Sequence, residues 1–311
     1  MSASSFPKSY SQLPFQQIYL SHFPESSPTP TPVILLTLNR PTKNNAFTWT
    51  MGFELEKAFA LLSHDPRVKA IVVTGAGKMF CAGADLESGT GFAAREESSR
   101  THRDGGGRVA LAIHKCTKPV IAAINGSAVG VGVTMTLPMA IRIVSEKAKL
   151  GLVFARRGIV MEATSSYFLP RLIGMSRAMH LVTTGAVYPA TDPLWRELFS
   201  EILPPEKVLA RALALADDIA KNTSNVSTSL MRDLMWRNPG SPEETHLLDS
   251  KILLELYNGK DQKEGVASFL QKRPVQFQGN MNDNAPSVWP WWATIDTNPP
   301  AAAGDDIKSK L

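Results

Sequence analysis

The sequence predicts an α/β fold for most of its length, followed by a smaller all-helical region. Three observations predict it. Runs rich in β-branched residues, such as "KAIVVTG" (69–75) and "PVIAAI" (119–124), read as strands covered on both faces. Segments of helical periodicity alternate with these runs, as a sheet layered by helices requires. From Pro204 onward only the helical period remains. The chain has 311 residues, 43% hydrophobic and 20% charged, which suits a globular protein with a sizeable core and excludes a disordered or collagen-like one.

The first residues, "MSASSFPKSYSQLPF", are rich in Ser and Pro and lack the apolar core of a secretory signal. Residues 1–14 are therefore expected to be disordered, with the ordered body beginning near residue 15. Residues 17–22 alternate apolar and polar side chains and are expected to pair with 33–38 as a hairpin around the tip "PESSPTPTP". Thr48 can cap a helix running to about Leu62, with Leu55, Phe59 and Leu62 on one face and Asp65-Pro66 ending it. The strand at 69–75 runs into a glycine-rich loop. Residues 89–107, rich in Gly, Ser, Arg and Glu, form core poorly and suggest a mobile segment or a weakly held helix near a site. The strand at 119–124 enters a second glycine-rich loop, and "IRIVS" (141–145) is a third strand candidate.

Beyond residue 203, Pro205 can open a helix carrying Val208, Ala212, Leu215 and Ile219 on one face. Ser241-Pro242-Glu243-Glu244 is a capping box, with Gly259 past the far end of its helix. Residues 261–264 resemble a second box, opening a helix that Pro274 stops. The expected organisation is a body over 15–203, a helical domain over 204–274 and a flexible tail over 275–311. Trp289, Trp291 and Trp292 in that tail could dock onto the body.

Charge and cysteine content bound the function. Lys+Arg 33 against Asp+Glu 28 gives a net +5, dispersed without a basic, aromatic-interleaved run, so nucleic acid is not expected, whereas an anionic small molecule is permitted. Cys81 and Cys116 suffice for neither a metal cage nor a disulfide framework; they are expected as buried, reduced residues. No apolar stretch is long enough for a membrane span, and a soluble protein is expected. The final tripeptide, Ser309, Lys310 and Leu311, spells a peroxisomal address, which predicts an import receptor as a partner.

The chemistry concentrates in two strand-to-glycine-loop elements, "VVTGAGKMFCAGADL" (72–86) and "AINGSAVGVGVTM" (123–135). Glycines after a buried strand let the chain turn sharply and let a ligand approach peptide N–H groups. The alternatives are poorly matched. Gly77-Lys78 lacks the remainder of a phosphate-binding P-loop, and Gly126, Gly130 and Gly132 lie mid-chain rather than after a first strand, where a dinucleotide fold needs them. Glu162 lies between "RRGIVM" and "ATSSYFLP", a small and apolar setting that should desolvate its carboxylate and raise its pKa; a surface or helix-start role is the competing reading. Thr134 could hydrogen-bond locally.

Together the segments "LTLNRPTKNNAF" (36–47), "FCAGADL" (80–86), "INGSAVGVG" (124–132), "RRGIVMEATSSYFLPRLIG" (156–174) and "FLQKRPVQF" (269–277), in this order, resemble the enoyl-CoA hydratase/isomerase (crotonase) superfamily. The resemblance implies a spiral of ββα turns with a C-terminal helical trimerisation domain, as a homotrimer or dimer of trimers. The implied substrate is an acyl-CoA thioester, with no metal and no cofactor beyond the coenzyme A carried by the substrate. It also implies an oxyanion hole from the backbone N–H groups of Ala84 and Val131, which would hold a thioester enolate, with Ala82, Gly83, Asp85, Leu86 and Gly130 around the substrate. Lys43 and Lys272 are the implied phosphate partners, Lys272 reaching a neighbouring subunit's ligand. Asp85 is expected to stabilise its loop and help seat the nucleotide end of CoA. The family's hydratases use two glutamates, and the corresponding positions here are Thr134 and Phe154. Glu162 instead matches the single glutamate of peroxisomal Δ3,Δ2-enoyl-CoA isomerases. The expected activity is thus a double-bond shift, with hydration or a non-catalytic acyl-CoA-binding scaffold as alternatives.

Overall fold

The computed structural model describes residues 6–87, 98 and 100–298. A six-stranded sheet forms the centre, in the order β1 (Ile18–Phe23), β2 (Val33–Leu38), β3 (Ala70–Gly75), β4 (Val120–Ile124), β6 (Ile141–Ser145) and β9 (Glu201–Leu203). β1 and β2 form the antiparallel hairpin with Ile18 opposite Leu38, and the remaining neighbours are parallel. A small second sheet joins β5 (Ala128–Val129), β7 (Lys149–Gly151) and β8 (Val187–Pro189). All six residues of β3 and all five of β4 are buried, because helices cover both faces of the sheet.

One face carries α1 (Trp49–His64) and α2 (Gly105–Lys115). Thr48 caps α1 by accepting the Met51 N–H at 3.1 Å, and Leu55, Phe59 and Leu62 point into the core. Asp104 caps α2 by accepting the Gly107 N–H at 2.5 Å. The expected mobile or weakly helical stretch 89–107 thus ends in an ordered helix start, while 88–97 and 99 lie outside the described residues, as do Ser309, Lys310 and Leu311. The body also holds α3 (Val131–Thr134), α4 (Ser165–Ile173) and α5 (Met175–Thr184).

Three expectations need correction. Residues 6–14 are not a loose leader: Tyr10 is buried, and its hydroxyl donates to Asp65 Oδ2 at 2.8 Å. A large aromatic with a buried acceptor outweighs the polar composition around it. Next, α6 (Pro205–Asn222) belongs to the body: Val208, Ala212, Ala216 and Ala220 pack on Val33, Ala70, Val72, Ile121, Ala123 and Ile143. Its small alanine face lets the helix lie close to the sheet. Lastly, residues 275–298 do not hang free. Trp289 Nε1 donates to Asp233 Oδ2 at 3.0 Å, Trp291 Nε1 donates to the Arg237 carbonyl at 2.8 Å, and the Arg237 guanidinium lies 4.1 Å from the Trp292 ring centre.

The helical layer proper is α7 (Asn225–Trp236), α8 (Pro242–Tyr257) and α9 (Lys260–Gln271), followed by the short α10 (Met281–Asn284). Ser241 caps α8 as its box predicts, accepting the Glu244 N–H at 3.2 Å. The second box is absent, because the cap of α9 is Gly259, two residues before Asp261. Asp261 lies inside its first turn and accepts from Ser224 Oγ at 2.6 Å and from the Gly279 N–H at 2.9 Å.

Candidate active site

The two glycine loops are joined by main-chain bonds. Cys81 and Ala128 form a parallel bridge, in which the Val129 N–H donates to the Cys81 carbonyl at 3.0 Å. The glycines at this seam are required by space. A Cβ on Gly132 would stand 2.5 Å from the Cys81 carbonyl oxygen, and one on Gly83 would stand 2.9 Å from the Val129 carbonyl oxygen. Gly83 and Gly130 also have φ of +94° and +55°, where side-chain-bearing residues are strained.

Each loop carries its expected oxyanion amide without an acceptor among the described residues. Phe47 bridges Ala84 in parallel fashion, donating to the Gly83 carbonyl at 2.8 Å and accepting from the Asp85 N–H at 2.9 Å. In that pairing the N–H of Ala84 itself faces away from Phe47. Val131 is the first residue of α3, so its N–H precedes the helical bonding pattern. Among the described residues, neither N–H has an acceptor.

Glu162 meets this seam through α3. The Thr134 hydroxyl, at the far end of that single turn, donates to Glu162 Oε1 at 2.6 Å. Glu162 Oε2 is buried and has no partner among the described residues. Burial is the main reason the carboxyl is pushed up to about 7; the Thr134 bond opposes that rise and the Asp104 charge adds to it. The backbone is bent to present the side chain: Ala163 and Thr164 both adopt left-handed φ values, 56° and 51°. Ser165 secures the bend, its N–H and hydroxyl donating to the Glu162 carbonyl at 3.0 and 2.5 Å.

Two supporting residues escaped the sequence reading. Asp104 accepts the Ala163 N–H at 3.3 Å while capping α2, and so ties that helix to the Glu162 bend. Gly106 faces the carboxylate directly, since a Cβ there would stand 1.5 Å from Glu162 Oε2. The signal was the run Asp104-Gly105-Gly106-Gly107 ahead of a helical period, a cap followed by residues without side chains.

The remaining expected residues divide. Asp85 stabilises its loop, pairing with Arg40 at 2.8 Å and accepting the Glu87 N–H at 3.1 Å. Lys43 is next to this loop and pairs with Glu87 at 2.6 Å, in an exposed position. Ala82 accompanies it, its N–H bonded to the Asn44 carbonyl at 3.0 Å, and Leu86 is exposed at the loop's end. Phe154 is buried beside Gly130, its ring 3.8 Å from where a Cβ on that glycine would lie. Lys272 is not brought to the loops: it is the exposed, left-handed C-cap of α9 in the helical layer.

Layered strands and helices with paired glycine loops define a crotonase-type protein. An enoyl-CoA hydratase from Bacillus anthracis has the same fold at a TM-score of 0.76 and 29% identity, covering 85% of this chain and 100% of that one. The chain belongs to the enoyl-CoA hydratase/isomerase family, whose model matches residues 29–280. Relatives include the enoyl-CoA hydratase ACTT3 of Alternaria alternata, 50% identical over 254 residues that cover 81% of this chain and 85% of that protein. The mevalonyl-coenzyme A hydratase sidH of Aspergillus fumigatus is 31% identical over 255 residues, covering 81% of this chain and 93% of that protein.

Proposed function

We propose that the protein hydrates a 2-enoyl-CoA thioester, with Glu162 as its lone acid–base group and the Ala84 and Val131 amides as its oxyanion hole. The observation that carries the reading is the buried Glu162 carboxylate, held at Oε1 by Thr134 of the turn that begins at Val131 and unpaired at Oε2 among the described residues. In the addition, Glu162 accepts a proton from water as the water oxygen bonds to C3. The electron pair of the double bond moves toward the thioester oxygen, where two preorganised amides would stabilise the enolate charge. The same carboxyl then gives its proton to C2, so one water is added and Glu162 returns to its starting state. The hydratase names of relatives up to 50% identical support this reading over the double-bond shift expected from the sequence.

Isomerisation is the second reading, and one feature favours it: Thr134 and Phe154 stand where the family's hydratases carry their two glutamates, and neither can act as a carboxylate. A single carboxylate can carry a proton from C2 to C4. Incubation with 2-enoyl- and 3-enoyl-CoA in ¹⁸O-labelled water separates the two. Labelled 3-hydroxyacyl-CoA should form faster than the double bond moves, and the opposite order selects isomerisation. Glu162→Gln should cut turnover by on the order of 10²-fold or more; undiminished turnover removes Glu162 from the reaction. Acyl-CoA binding without turnover in the wild type would leave the scaffold.

The same proposal seats the CoA portion along residues 82–86 near Lys43, with Lys272 serving a neighbouring copy in a homotrimer or dimer of trimers. Peroxisomal delivery rests on Ser309, Lys310 and Leu311. Loss of import-receptor binding on Leu311→Ala tests that delivery.

A further inference from the structure

Thr134 has one hydroxyl proton and two nearby acceptors, Glu162 Oε1 at 2.6 Å and the Gly130 carbonyl at 3.4 Å. The shorter contact is in the charge-assisted range and takes the proton. Oε1 is therefore occupied. Oε2 rests against the Gly106 backbone, where no side chain fits, and α2 is fixed there by the Asp104 cap. A glutamate has three rotatable bonds, and the apolar surroundings offer it no other polar anchor among the described residues.

We propose that Thr134 is a positioning residue for Glu162: its hydroxyl pins Oε1 so that Oε2 alone exchanges the proton with substrate, over a floor kept clear by Gly106. The inference rests on Glu162 as the acid–base group, and its consequences differ from that assignment. Releasing Oε1 lets the carboxylate swing, and a misplacement near 1 Å can cost about 10²-fold in rate. The hydroxyl contributes nothing to acyl-CoA affinity in this arrangement. It also favours the ionised carboxylate, so its loss makes Glu162 harder to ionise.

The test is Thr134→Val beside Thr134→Ser and Gly106→Ala, assayed for kcat, KM and the pH dependence of kcat/KM. Thr134→Val should lower kcat by on the order of 10²-fold with KM unchanged. Its acid limb should move to higher pH, and Thr134→Ser should restore both. Gly106→Ala should lower kcat by displacing Oε2 even though the hydroxyl is intact. If valine prevents folding, Thr134→Ala should show the same limb shift. A Thr134→Val (or, in its place, Thr134→Ala) enzyme with wild-type kcat and an unmoved acid limb, alongside inactive Glu162→Gln, overturns the positioning role alone. Full activity in Glu162→Gln overturns the reading beneath it.

Discussion

Glu162 is expensive to ionise in this fold, and the cost has a sign. Its folded pKa of about 7 lies above the ordinary value of 4.5, so stability is greatest below the lower value and is lost as pH rises through the higher one. The difference corresponds to at most about 3 kcal/mol. Urea unfolding should therefore find Glu162→Gln more stable than wild type at pH 8, with the gain vanishing near pH 4. Asp104→Asn gives a second check, because asparagine can still cap α2 but removes the like charge that raises Glu162. The acid limb of kcat/KM should move to lower pH. The sequence revealed Glu162 because its neighbours are small and apolar. The run from Asp104 to Gly107 is legible as a helix start, but its support of Glu162 is not, because that lies in contacts with the distant 162–163 bend.

At the scale of elements, local chemistry and tertiary packing were unequally visible. The β-branched runs at β3 and β4 announce buried strands, and Thr48 and Ser241 mark their helix starts by side-chain geometry. Thr48→Ala should cost roughly 1 kcal/mol in chemical denaturation. The period of α6 identified a helix and one apolar face but not the surface that receives it, since alanines suit a sheet or another helix equally. Its packing predicts that Ala216→Leu, which forces a larger side chain between α6 and the sheet, destabilises by about 1–3 kcal/mol. A helix that belonged to a separate layer would tolerate the change with an unaltered urea midpoint.

Across the whole molecule, Trp289, Trp291 and Trp292 tie their segment to the helical layer, which in turn leaves apolar side chains uncovered. Phe269, Leu270, Leu254 and Leu247 are 82%, 72%, 64% and 63% exposed, an uncovered set that supports the proposed self-association. Light scattering should find a trimer or hexamer, and charged substitutions at Phe269 and Leu254 should shift it toward monomer. Trp289 donates to Asp233, whose buried carboxylate also pairs with Arg232 at 2.9 Å. The three tryptophans announced that docking was possible, but the residues that receive them, Asp233 and Arg237, lie some fifty positions away and were not legible.

The seam between the glycine loops has a bearing on how such a protein can diversify. Its hydrogen bonds belong to the peptide chain, while the methyl of Ala84 and the isopropyl of Val131, which packs into the core, take no part in them. If the Ala84 and Val131 amides form the proposed oxyanion hole, exchanging those groups would alter the shape offered to a longer, shorter or branched guest without altering the donors themselves. On that proposal, selectivity and reactivity can drift independently in this scaffold.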